Sequence, residues 1–128
     1  MILDTAFILD LIDNLPKAHE KLDELESNGA VLKLPTMVLL ELYIGIEAHT
    51  GPEEEEKIRR ILSGVPRVDM DSRIAERTGR MIGALDPSTY KRKKGDAVIA
   101  ATAAVEGEPV VTRNVDDFER YGVEVEEY

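Results

Sequence analysis

The sequence predicts an α/β domain with a central, mostly parallel sheet, and three observations predict it. Short β-like runs alternate with longer helical ones about five times along the chain, the pattern of strands joined by helical crossovers. One helical run, 95-GDAVIAATAAVEG-107, is apolar nearly all round, as a helix buried between layers must be. The 128 residues contain no repeat, low-complexity tract or linker, so residues 1–128 form one domain, large enough for a core of its own.

The elements follow in order. MILD (1–4) begins a buried strand, and TAFILDLID continues it into a helix. Leu15, Ala18, Leu22 and Leu25 recur at helical spacing, and Asn28-Gly29 stops that helix. VLKLP (31–35) is the second strand, and Thr36 is placed to cap the helix TMVLLELYIG, which closes between Gly45 and Gly51. Pro52 opens PEEEEKIRRILSG, with acids first and bases later, as the helix dipole prefers. VPRVDM (65–70) is a third strand, and Asp71 caps DSRIAERTGRMIGALD, with Ile74, Met81, Ile82 and Leu85 on one side. After the basic run KRKK (91–94) come the buried helix, a strand in PVVTRN, a short helix in DDFERYG and an edge strand in VEVEEY.

Composition removes several function classes. Hydrophobic residues at 43% and charged ones at 33% describe a soluble globular chain, and no apolar run reaches the roughly 18 residues of a membrane span. The start MILDTAFILDLID has no basic segment of a signal peptide. With no cysteine, disulfides and thiolate metal sites are excluded and a cytoplasmic location is expected. Two histidines, His19 and His49, argue against a His-rich zinc site or a Ser-His-Asp triad. A net charge of −10, from 16 basic and 26 acidic residues, argues against a nonspecific DNA coat. Carboxylates therefore carry whatever chemistry is present.

Glu41 is the first of them to stand out. On a helix it shares a stripe with Met37, Val38, Ile44 and Gly45, and burying an unpaired carboxylate costs several kcal/mol. It needs a buried cationic side chain, the rim of a cleft, or a bound cation. Right-handed crossovers place every strand-to-helix junction on one edge of a parallel sheet, where ligands of such folds bind. Asp4 ends the first strand, Glu41 lies about 8 Å into the helix after the second, Asp96 opens the buried helix, and Asn114 and Asp117 follow the fourth strand. Each has a plainer reading: a turn at Asp4 with Thr5 as cap, an N-cap at Asp96, a first-turn acid at Asp117. Asp10, Asp13, Asp69, Asp71, Asp86 and Asp116 read as turn, cap or surface residues. The plainer readings leave the convergence itself unexplained. Like charges this close repel unless a divalent cation holds them, and all-oxygen ligands select Mg2+ or Mn2+ over zinc.

These residues carry a resemblance. DT at 4–5, Glu41 alone in an apolar helix, 95-GDAVIAATA-103 and 112-TRNVDDF-118 resemble the PIN domain, and more narrowly the VapC-type ribonuclease toxins of prokaryotic toxin–antitoxin pairs. The match runs in order along nearly the whole chain. It implies a three-layer α/β/α sandwich with a five-stranded sheet, and hydrolysis of RNA phosphodiester bonds with Mg2+ or Mn2+. Asp4, Glu41 and Asp96 fall on the family's three principal acidic positions. A fourth acid stands in many members where this chain has Asn114, and Asp117 is the candidate to supply that carboxylate.

The expected mechanism follows from the resemblance. Asp4 and Asp96 are primary metal ligands, Glu41 and Asp117 complete the shell or orient water, and Thr5 and Thr112 supply supporting hydroxyls. Arg113 and Lys91, Arg92, Lys93 and Lys94 are candidate RNA phosphate contacts. The implied partners are an RNA substrate, a cognate antitoxin seated in the cleft or an apolar groove, and a second copy of the chain in a homodimer. No membrane partner is expected. Two rival classes remain: a non-cleaving PIN-like module that binds RNA or protein, and a phosphotransfer or phosphatase domain. The second needs another acid two residues after Asp4, where DTAF has none.

Overall fold

The computed structural model describes residues 1–49, 51–85 and 94–128. Among the described residues there are five strands: β1 (Ile2–Leu3), β2 (Leu34–Pro35), β3 (Arg67–Val68), β4 (Val110–Thr112) and β5 (Val125–Glu127). Among the described residues the helices are α1 (Thr5–Ile12), α2 (Pro16–Ser27), α3 (Thr36–His49), α4 (Pro52–Leu62), α5 (Ser72–Gly83), α6 (Lys94–Glu106) and α7 (Val115–Glu119).

Among the described residues all pairings are parallel. β1 pairs β4 through Ile2 with Val110, and β4 pairs β5 through Val111 with Glu126. β2 pairs β3 through Leu34 with Arg67. The two ladders are formally separate, three strands and two, because the strands are so short. A bridge between Ile2 and Lys33 joins them, with Leu3 N donating to Lys33 O at 3.0 Å and Lys33 N to Met1 O at 2.8 Å. The spatial order is therefore 3-2-1-4-5. The sequence direction reverses between β1 and β4, where a ligand site is expected in an open parallel sheet.

Helices cover the sheet as the crossovers require. α1 packs with α2, α3 and α4, while α6 packs with α3, α5, β1 and β4. The main core cluster includes Ile2, Phe7, Ile8, Leu34, Val38, Leu62, Ile99, Val110, Val111 and Phe118, and a smaller one joins Ile74 of α5 to Val98 and Ala101 of α6. Ala97 to Ala103 of α6 are all buried. That helix lies close to the strands because its residues are mostly small.

Several boundaries differ from the sequence expectation. α3 does not close at Gly45 but runs on to His49, since one glycine inside a helix costs only about 1 kcal/mol and Leu42 and Ile46 continue the packing. Leu15 is not a helical residue but precedes Pro16 as the N-cap. Asp71 caps α5 as expected, accepting from Ile74 N at 3.0 Å. Asp86, Lys91, Arg92 and Lys93 lie outside the described residues.

Candidate active site

Asp4 is the centre of the acid cluster. The chain leaves β1 at Leu3 and enters α1 at Thr5, so Asp4 is the helix N-cap, and its Oδ1 accepts from Thr5 N at 2.7 Å. Capping thus falls to Asp4, not Thr5, and it fixes the carboxylate at the sheet edge. The side chain is 4% exposed. Its other oxygen, Oδ2, accepts from Thr112 Oγ1 at 2.7 Å. Thr112 ends β4, next to β1, and is fully buried. The same hydroxyl oxygen accepts from Asn114 N at 3.0 Å, so the turn after β4 and Asp4 share one linker.

Burial pushes the Asp4 carboxyl up to about 6; the Thr112 hydroxyl and Thr5 N–H pull it down, while the charges of Asp96 and Glu41 push it further up. Two carboxylates from distant parts of the chain are therefore close enough to act on a third. This is the convergence that the sheet topology predicts.

Glu41 is half-buried on α3, and its Oε1 accepts from Thr5 Oγ1 at 2.9 Å. Thr5 thus serves both acids, Asp4 through its N–H and Glu41 through its hydroxyl. Glu41 Oε2 rests against Gly95 in the first turn of α6, where an added Cβ would lie 3.0 Å away. The positive end of a 13-residue helix lies beside this carboxylate. The apolar stripe expected around Glu41 is divided: Val38 is buried, whereas Ile44 is 60% exposed. Glu41 stands where the stripe passes from core to surface.

Asp96 is in the first turn of α6, beside Gly95. Asp117 lies in the first turn of α7, pairs with Arg120 at 3.3 Å, and opens with Asn114, Asp116 and Glu127 onto a depression. Asn114 reaches the cluster through its backbone N–H, which donates to Thr112 and not to an acid.

Arg113 points along a different line. Its Nε donates to Asp10 Oδ2 at 2.7 Å, and Tyr128 OH donates to the same oxygen at 2.6 Å. The Tyr128 ring sits edge-on to Phe7, centroids 5.0 Å apart. The Asp10 charge holds the Arg113 guanidinium above its ordinary range, and burial followed by the bond to Asp10 raises the Tyr128 phenol. Lys94, at the start of α6, is exposed.

Matching against known families finds the one described as PIN domain over residues 1–124. The chain belongs to the PIN domain family. It is 28% identical over 129 residues to the tRNA(fMet)-specific endonuclease VapC of Salmonella typhimurium, covering 99% of this chain and 96% of that protein. Among solved structures it is similar to DNA-bound VapBC from Salmonella typhimurium, with a TM-score of 0.79, 26% identity and 98% and 96% of the two chains covered. VapBC2 from Rickettsia felis, bound to a promoter DNA fragment, superposes with a TM-score of 0.79 at 21% identity over 99% and 97%, a likeness of fold. The PIN domain is of the VapC type.

Three residues of this PIN domain were missed by sequence reasoning. Asp10, read as a surface or turn acid, is 8% exposed and accepts two hydrogen bonds. Its signal was the one that marked Glu41, an acid inside an apolar helix run. Gly95 is where α6 meets Glu41, and Tyr128 anchors Asp10; neither had a local signal, because both act on residues far along the chain.

The donor set of Asp4, Glu41 and Asp96 suits a hard divalent cation in chemistry and in charge. Among the described residues no three carboxylate or imidazole groups stand at distances that would enclose an ion, and both Asp4 oxygens already accept hydrogen bonds. Each carboxylate oxygen retains a further lone pair, so these bonds orient Asp4 without excluding a cation.

Proposed function

We propose that this PIN domain is a ribonuclease dependent on Mg2+ or Mn2+, the toxin of a VapC-type pair. The observation that carries the reading is the buried Asp4 carboxylate, acted on by the charges of Asp96 and Glu41 from distant elements of the chain. Its cost makes sense when a cation is held there. The Salmonella relative named as a tRNA(fMet)-specific endonuclease supports RNA as the substrate class.

Asp4, Glu41 and Asp96 would hold the cation. When bound, it would lower the pKa of its water and offset charge developing on the phosphate. The chain's own residues prepare the site. Thr112 Oγ1 and Thr5 N–H fix the plane of the Asp4 carboxylate, and Thr5 Oγ1 fixes Glu41. Arg113, committed to Asp10, is better placed to brace the β4 turn than to meet phosphate. Asp117, paired with Arg120 in the helix after β4, is the candidate for a further carboxylate.

The finer partners follow the same reading. An apolar groove of about 260 Å³, lined by Leu9, Ile12, Leu42, Ile46 and Ile58 with Glu41 at one side, fits an antitoxin helix or strand carrying a basic residue. The VapBC complexes among the structural relatives support such a partner. Leu40, Tyr43 and Ile44 expose an apolar face of α3 suited to a second copy. No helix among the described residues is long and apolar enough to cross a membrane, and a cytoplasmic site of action belongs to this proposal.

The test is cleavage of a panel of structured and single-stranded RNAs with Mg2+, Mn2+ or EDTA, after any copurifying partner is removed. Metal-dependent cleavage that Asp96→Asn loses is the expected result. Intact metal binding with no cleavage of any RNA would instead indicate a binding module. Failure to bind either metal would sink the site as drawn.

A further inference from the structure

Among the described residues, many basic side chains of this acidic protein pair with carboxylates of the chain itself. On α4, Lys57, Arg59 and Arg60 pair with Glu54, Glu55 and Glu56 at 3.1–3.4 Å. Lys21 pairs with Glu126, Lys33 with Glu106 and Glu108, Arg113 with Asp10, and Arg120 with Asp117. The outer face of α5 departs from this pattern. Arg73, Arg77 and Arg80 stand at i, i+4 and i+7, all exposed. Among the described residues neither Arg77 nor Arg80 has a carboxylate or carbonyl partner, and Arg73 has only its own helix cap, Asp71, at 2.9 Å.

The helix gains little from this arrangement. Like charges at i, i+3 and i, i+4 repel. The dipole favours Arg80 in the last turn but opposes Arg73 in the first, and Glu76 is the one acid among them. The inner face needs no arginine, since Ile74 and Thr78 are buried. The three cations are spaced about 6 Å and 4.5 Å along the axis and border a shallow depression of about 250 Å³ beside Val105. Val105 is near the end of α6, whose beginning carries Asp96. The two lie about 14 Å apart along that helix, a span of a few nucleotides.

We infer that the Arg73–Arg77–Arg80 face of α5 docks the phosphate backbone of RNA outside the acid cluster. The inference rests on the ribonuclease reading and extends it, because it separates where the strand is held from where it is cut. Arginine suits phosphate because its planar fork takes the group through two hydrogen bonds. Such contacts carry no base preference.

Binding tests it without cleavage. The Asp96→Asn protein and a fluorescein-labelled single-stranded RNA of mixed sequence are titrated in EDTA across a salt series and read by anisotropy. Each lost phosphate contact lowers the slope of log affinity against log salt by about 0.7 for a single strand. Arg77→Ala with Arg80→Ala should lower it by about 1.4 and weaken binding at least tenfold at low salt. Arg59→Ala with Arg60→Ala, an equal change in net charge on paired residues, should leave the slope unchanged.

An unchanged slope in the α5 variant overturns the docking face and leaves the ribonuclease reading standing. An equal fall in both variants also overturns it, reducing the effect to net charge. Salt-dependent self-association that the α5 variant abolishes, with RNA binding untouched, would assign the face to a second copy instead. No RNA binding by the parent protein, with or without metal, would remove the ribonuclease reading and this inference with it.

Discussion

Thr112 and Asp4 are 108 residues apart in sequence and 2.7 Å apart in space, joined by a hydroxyl that donates to the carboxylate while accepting from the Asn114 N–H. Replacing Thr112 with Val keeps the shape and removes both bonds. Asp4 loses the strongest of the interactions that lower its pKa, and the Asn114 N–H loses its acceptor. The expected cost is about 1–3 kcal/mol in urea unfolding. The Asp4 carboxyl should titrate above 6 by carbon NMR. A carboxyl that titrates at or below its parent value would contradict the assigned role of the hydroxyl.

Asp4 also makes stability depend on pH, with a sign fixed by the direction of its shift. Its folded value, about 6, lies above the ordinary aspartate value of 3.8, so the folded state holds the proton more tightly. The stability it contributes is full below pH 4 and is lost as pH rises through 6. In EDTA, Asp4→Asn should gain on the parent across that window and level off above it. The gain at pH 8 should reach about 1–3 kcal/mol. A difference curve that is flat between pH 4 and 7 would show that Asp4 carries no such strain.

Gly95→Ala should separate stability from activity. Alanine is the better helix former by about 1 kcal/mol, and the nearest obstacle is the mobile end of Glu41, 3.0 Å from the new Cβ. Thermal stability should hold or rise by a few degrees. RNA cleavage should fall at least tenfold as Glu41 is displaced. Cleavage at the parent rate would show that the position of Glu41 against α6 has no bearing on the reaction.

Asp10 is expected to behave as a brace. Tyr128→Phe keeps the edge contact with Phe7 and removes one hydrogen bond to Asp10, at a cost of about 1–2 kcal/mol. Asp10→Ala removes the acceptor for both Tyr128 and Arg113 and should cost more, about 2–3 kcal/mol, with Arg113 half in water and therefore partly compensated. Chemical denaturation in a double-mutant cycle measures the coupling. Additive losses would mean that the two bonds do not share Asp10 in solution.

The order of elements and the convergence of Asp4, Glu41 and Asp96 were legible in the sequence, because both follow from alternation and from the handedness of crossovers. Strand lengths were not. VLKLP and VPRVDM read as five and six residues, whereas β2 and β3 keep two each; β-propensity does not record where the twist ends a ladder. Asp117 was legible as a first-turn acid but not as the partner of Arg120, since a three-residue side-chain pairing is decided by rotamers. Arg113 read as a phosphate contact from its neighbours in sequence. Its partner, Asp10, lies 103 residues away, and no local pattern reports that distance.

The strand order has a consequence in time. β1 is at the middle of the sheet, yet its neighbour β4 is made from residues 110–112, so the first strand to be synthesised waits for nearly the last. Pairings between such remote segments form slowly. Until they form, Asp4 has neither the Thr112 hydroxyl nor the closed wall of α6. A nascent chain that has already exposed Asp4 and Glu41 on the ribosome is therefore still without its assembled acid cluster. The topology delays assembly of that cluster until nearly the whole domain has been made.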